Sequence, residues 1–90
     1  MHTVETKLRF EKILFSDGKR KDVVATIVTT TELTIDDIKI IAHYGPKAIG
    51  KRTFAQVLKE STSIMRAPTS TAIKNMNLLN KLLIFSYQVV

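Results

Sequence analysis

The chain has 90 residues, of which 44% are hydrophobic and 24% charged, and it carries a formal net charge of +6. This composition belongs to one small folded domain with a modest core, and it is too apolar for a disordered chain. There is no cysteine, which excludes disulfides and thiolate metal sites, and His2 and His43 are too few and too far apart to suggest a metal site.

The chain opens on a β-hairpin. Lys7 to Phe15 alternates in part, with Leu8, Phe10, Ile13 and Phe15 as its apolar set. The slip between Phe10 and Ile13 predicts a bulge or twist. Ser16-Asp17-Gly18-Lys19-Arg20 supplies turn chemistry, because Asp-Gly tolerates the positive φ that hairpin turns require. Asp22 to Thr31, rich in Val, Ile and Thr, fits the second strand. The basic tip of Lys19, Arg20 and Lys21 could touch phosphate, although such tips more often only keep a turn soluble.

A helix is then expected to start at Thr34, whose hydroxyl can cap free N–H groups while Asp36 and Asp37 favour the positive end of the dipole. Ile38, Ile41 and Ala42 form its expected face, with Ile35 and Tyr44 joining at the ends, and Gly45-Pro46 is expected to stop it. A second helix is predicted from Lys51 or Thr53 to about Glu60, with Phe54, Val57 and Leu58 as its stripe. After Pro68, Thr69 or Ser70 can cap a third helix running to about Leu82. Ala72, Met76, Leu79 and Leu83 make its expected core stripe, which leaves Thr71, Lys74, Asn75, Leu78 and Lys81 outward. Ile84 to Val90 reads as a closing strand.

Charge is distributed unevenly. Up to Gly45, seven basic residues balance seven acidic ones; from Pro46 onward, seven basic residues face one acid, Glu60. Such segregation is the electrostatic footprint of a polyanion partner, or else a merely solvated basic face.

Three segments resemble, in order, the winged helix-turn-helix regulators of the MarR type. Leu33-Thr34 with Ile38, Ile41 and Tyr44 is similar to their first helix. Ile49-Gly50-Lys51-Arg52-Thr53-Phe54-Ala55-Gln56-Val57-Leu58 is similar to their second. Ser70-Thr71-Ala72 with Met76, Leu79 and Leu82-Leu83-Ile84 resembles the recognition helix. The stretch from Leu58 to Thr71 is longer than that family's tight turn, Leu82 stands where the family has Gly, and one wing strand is present instead of two. The resemblance implies an α+β fold with a hairpin over residues 1–32 and a winged helix-turn-helix domain over 33–90, packed as one unit. The hairpin would either supply the missing partner strand or build a dimer interface.

By the same resemblance the protein binds double-stranded DNA, as a homodimer, and controls transcription or replication. The third helix would enter the major groove, with Thr69, Ser70, Thr71, Lys74 and Asn75 facing the bases. Lys51, Arg52 and Arg66 would contact the backbone, with Lys19, Arg20 and Lys21 as further phosphate contacts. The alternative is a docking module that inhibits a host partner, as a small viral or plasmid protein would use it, with an apolar patch near Leu78 and Phe85. An enzyme is not expected. Gly45 to Lys51 ends in Gly-Lys but lacks the preceding strand and the following hydroxyl residue of a phosphate loop. No cofactor or metal is expected. The apolar run Leu78 to Val90, broken by Lys81, is shorter than the ~20 residues of a spanning helix. Met1 leads directly into polar sequence, so no signal peptide is visible and a cytoplasmic location is expected.

Overall fold

A computed structural model of the chain describes residues 2–63 and 69–90. Among them the elements run β1 (Val4–Leu14), β2 (Arg20–Thr29), α1 (Ile35–Ala48), α2 (Phe54–Ser63), α3 (Ser70–Lys81) and β3 (Leu82–Val89). The α+β mix is therefore present, and the three strands form one antiparallel sheet in the order β1-β2-β3. No helix among the described residues is long and apolar enough to cross a membrane.

The hairpin forms as its turn chemistry dictates. Gly18 adopts φ +80 at the tip, and the Asp17 carboxylate accepts the Lys19 N–H at 2.9 Å. The register shifts between Phe10 and Ile13, where Lys12 takes the unusual φ of +55. That bulge withdraws the Lys12 N–H from the ladder, and the Asp22 carboxylate accepts it at 3.0 Å while also accepting from Arg9 at 2.9 Å. The Arg20 guanidinium donates to the Lys12 carbonyl at 3.2 Å from the other side. Donation by the Lys12 N–H, and secondarily by Arg9, holds the Asp22 carboxyl below its ordinary pKa.

β2 is the central strand. Val23, Ala25, Ile27 and Thr29 alternate inward and are buried against the helical layer. β3 pairs with its other edge, Ala25 opposite Tyr87 and Ile27 opposite Phe85. The hairpin thus supplies the partner strand for the closing strand.

α1 begins as expected, with a capping box: the Asp37 N–H donates to Thr34 Oγ1 at 3.1 Å and the Thr34 N–H to Asp37 Oδ2 at 2.9 Å. It does not stop at Gly45-Pro46 but continues to Ala48 with Pro46 inside. Pro46 lies near the end, where the bond its missing N–H forfeits is one of the last in the helix. Gly45 serves close approach: a Cβ there would stand 2.9 Å from Phe10 Cζ, so α1 packs against β1 only because none exists. The stop is Gly50, just beyond the C-cap Ile49, in the left-handed conformation at φ +78.

The core faces of two helices differ from the expected stripes. α1 buries Asp37, Ile40, Ile41, Gly45 and Ala48, while Ile35, Ile38 and Ala42 are exposed. Apolar residues surround its first turns, so periodicity alone does not select the buried edge, which is the one on which Gly45 meets Phe10 and Phe85. α2 has its own capping box between Thr53 and Gln56 and buries Phe54, Val57 and Leu58 as expected. α3 is capped by Thr69, whose hydroxyl accepts the Ala72 N–H at 3.1 Å. It buries Ala72, Asn75 and Leu78, whereas Met76 is 53% exposed and Leu83 lies outside as well. Two polar partners turn the helix this way: Asn75 meets Ser61 of α2, and Lys81 reaches Asp37 of α1.

Candidate nucleic-acid interface

Phe15, beside the hairpin turn, packs on the Gly50 backbone, where a Cβ would meet its ring at 3.3 Å, and faces the Tyr87 ring at a centroid distance of 6.4 Å. The Lys21 ammonium lies 5.0 Å from the Phe15 centroid and 3.2 Å from the Asp17 carboxylate, which it helps to keep ionised. The hydrogen bond from the Lys19 N–H is the largest cause of the lowered Asp17 pKa, with Lys21 second. Hydrophobic contact at Phe15 therefore brings the basic hairpin tip, with Lys19 and Arg20 exposed, beside the Gly50–Thr53 turn.

That turn presents Lys51 and Arg52 to solvent immediately before the N-cap of α2. Lys51 N–H and Arg52 N–H both donate to the Ala48 carbonyl, at 3.0 and 2.9 Å, which fixes the path of the turn. Arg52 also forms an ion pair with Glu60 one face along α2. An open groove of about 510 Å³ runs past Lys51, Arg52, Thr53, Gln56, Phe85 and Tyr87. On its floor Phe85 stacks on Phe54 with centroids 4.5 Å apart and planes 13° from parallel. Lys47, in the last turn of α1, extends over Tyr44 at 5.6 Å from the ring centroid.

The residues expected on α3 are placed differently. Thr69, Ser70, Thr71 and Lys74 are exposed, and Lys74 lies 3.6 Å from the Asp36 carboxylate of α1. With Thr71 it lines a second, smaller cavity of about 310 Å³ shared with Lys39, His43 and Tyr44. Asn75 is not outward: it is 0% exposed, its amide donates to Ser61 Oγ at 3.0 Å, and its Oδ1 has no partner. A side chain in that position cannot reach a base edge. Arg66 lies outside the described residues. The remaining outer face of α3 carries Ile73, Met76, Asn77 and Asn80 and holds no cation.

Sequence reasoning missed the aromatic contribution of Phe15, Phe85 and Tyr87, and it missed the pair between Lys81 and Asp37. For the pair a signal existed: Lys81 is the single charge in the apolar run from Leu78 to Val90. Its ammonium donates to Asp37 Oδ2 at 2.6 Å with both side chains largely buried. Burial works to raise the Asp37 pKa, but hydrogen bonds from Lys81 and Thr34 outweigh it and hold the carboxyl below its ordinary range. Leu78 and Phe85, the expected docking patch, are respectively in the core and packed on Phe54.

Compared with protein-family models, with curated proteins and with solved structures, the chain matches none.

Proposed function

We propose that this protein binds duplex nucleic acid, DNA by its resemblance to winged helix-turn-helix regulators, and serves in control of transcription or replication. The observation that carries the reading is the meeting, around Phe15, of two basic segments some thirty residues apart in sequence, Lys19 to Lys21 and Lys51-Arg52. Lys19, Arg20, Lys51 and Arg52 are exposed and Lys21 is half-exposed, and Lys51 and Arg52 line an open groove, an arrangement suited to following a phosphate backbone. On this reading the Gly50–Thr53 turn and the hairpin tip position the protein, and Thr69, Ser70, Thr71 and Lys74 at the start of α3 supply whatever base contact is made. Lys74 would have to leave Asp36, an exposed pair that costs little to break.

Salt titration of binding to a random duplex, followed by fluorescence anisotropy, tests this. If Lys19, Lys21, Lys51 and Arg52 each displace a counterion, the slope of log K against log salt is about −3.6. Lys51→Ala/Arg52→Ala should make it shallower by about 1.8, and Lys19→Ala/Lys21→Ala by a similar amount. Folded protein that shows no binding at low salt overturns the proposal. A slope sensitive only to Lys74→Ala would move the contact to α3.

A further inference from the structure

The two edges of the sheet are not alike. β1 carries Glu5, Lys7, Arg9, Glu11 and Lys12 and is bent by the bulge at Lys12, features that discourage pairing with another strand. β3, at the other edge, has no charge, no proline and no glycine from Leu82 to Val90. Its free backbone groups can be assigned. The Val90 N–H donates to the Asp22 carbonyl of β2, so by alternation Gln88, Ser86 and Ile84 face β2 as well. Phe85, Tyr87 and Val89 therefore turn their N–H and C=O groups away from the sheet, and no described residue pairs with them.

We infer that β3 pairs antiparallel with β3 of a second copy, with Tyr87 on the two-fold axis. This register joins all three outward residues: Tyr87 with its own copy, and Phe85 with Val89 in both directions, six backbone hydrogen bonds in all. It also sets Ile84 (55% exposed) opposite Val90 (62% exposed), and Ser86 opposite Gln88, on the face away from the helices. The most exposed apolar side chains of the strand thereby cover one another. The absence of charge that leaves the edge unprotected is what permits self-pairing, since a two-fold axis would otherwise bring like charges together.

The axis is perpendicular to the sheet, so both helical layers lie on one face of a six-stranded sheet. Tyr87 lines the basic groove, and the Lys51-Arg52 turns of the two copies become neighbours across the axis. Repulsion between them weakens the dimer at low salt, and added salt tightens it. The assembly does not rest on the nucleic-acid reading, because it is tested without nucleic acid.

The chain has no cysteine, so a single introduced one reports directly. Tyr87→Cys should give a covalent dimer under mild oxidation, since paired Cα atoms there stand ~5.5 Å apart, within disulfide range. Ile73→Cys, at a more exposed position on α3, should not. In sedimentation over about 1–100 μM, unmodified protein should pass from monomer to dimer, while Ile84→Lys and Val89→Pro weaken association at least tenfold with unchanged circular dichroism. Val89→Pro removes only an outward-facing N–H, so the β2–β3 ladder is retained. Monomer at every concentration, or a dimer indifferent to both substitutions, overturns the inference. So does a Tyr87→Cys protein that cross-links no faster than Ile73→Cys.

Discussion

Replacing Lys81 by Met keeps most of the side-chain volume but removes the ammonium that pairs with Asp37. The two side chains are 18% and 4% exposed, so this is a buried pair and not a surface one. Losing one member of such a pair costs about 3–5 kcal/mol, because the remaining charge stays out of water without compensation. Asp37 keeps the Thr34 N–H at 2.9 Å and the favourable N-terminal end of α1, which places the expected loss near the low end, about 3 kcal/mol. In urea denaturation that is a rise in the unfolding constant on the order of a hundredfold. The pH dependence gives a second, independent reading. A carboxyl whose folded pKa is depressed stabilises the protein above its unfolded value of 3.8, and that contribution is lost as pH falls through the folded pKa. Lys81→Met abolishes much of the depression, so the gap between the variant and the parent should be full at pH 7 and shrink below about pH 4. Asp37→Asn combined with Lys81→Met should lose less than the sum of the single losses. A loss under about 1 kcal/mol, or a gap that acid leaves unchanged, would refute the assignment of this pair as the tie between α1 and α3.

Two further outcomes follow from packing. Gly45→Ala gains about 1 kcal/mol of helix propensity but drives a methyl into the Phe10 ring, so a net loss of about 1 kcal/mol is expected in thermal melts, reversed when Phe10→Leu is added. Asn75→Leu removes an amide whose Oδ1 is buried without a partner, and stability should stay within about 1 kcal/mol of the parent in urea. Its duplex affinity should also be unchanged, and a loss of binding in a folded Asn75→Leu protein would restore Asn75 as a contact residue.

Local chemistry made much of the fold readable. The Asp-Gly turn, the slip at Phe10–Ile13 and the Thr34 cap each act within a few residues and appear where the sequence places them. Thr69 and not Ser70 caps α3, and sequence reasoning missed the Thr53 cap of α2. What the sequence hid was tertiary. Gly45-Pro46 reads as a stop by local rules, yet the Phe10 ring gives Gly45 a packing role. The stripe of α3 was misjudged because hydropathy puts Asn75 and Lys81 in water, whereas Ser61 and Asp37, remote in sequence, satisfy them inside. The candidate interface was legible as residue types, Lys19 to Lys21 and Lys51-Arg52. Their proximity was not, since it depends on Phe15 seating against a glycine in another element.

The bulge at Lys12 decides on which side of the sheet the hairpin tip belongs. In a regular strand that placed Phe10 inward, Leu14 would also point inward and Phe15 outward. The extra residue reverses the parity, so Ile13 is buried and Phe15 turns toward Gly50 and Tyr87, while Leu14 faces solvent. Deleting Glu11 or Lys12 would keep that parity, since Phe10 and Ile13 would then stand two positions apart. One residue added to β2 opposite the bulge would instead restore plain alternation and invert everything beyond it. The tip would then carry Lys19 to Lys21 away from Lys51 and Arg52 with no change in net charge among those five cations. Insertion length, more than residue identity, is thus the hereditary variable to which this basic surface is most sensitive.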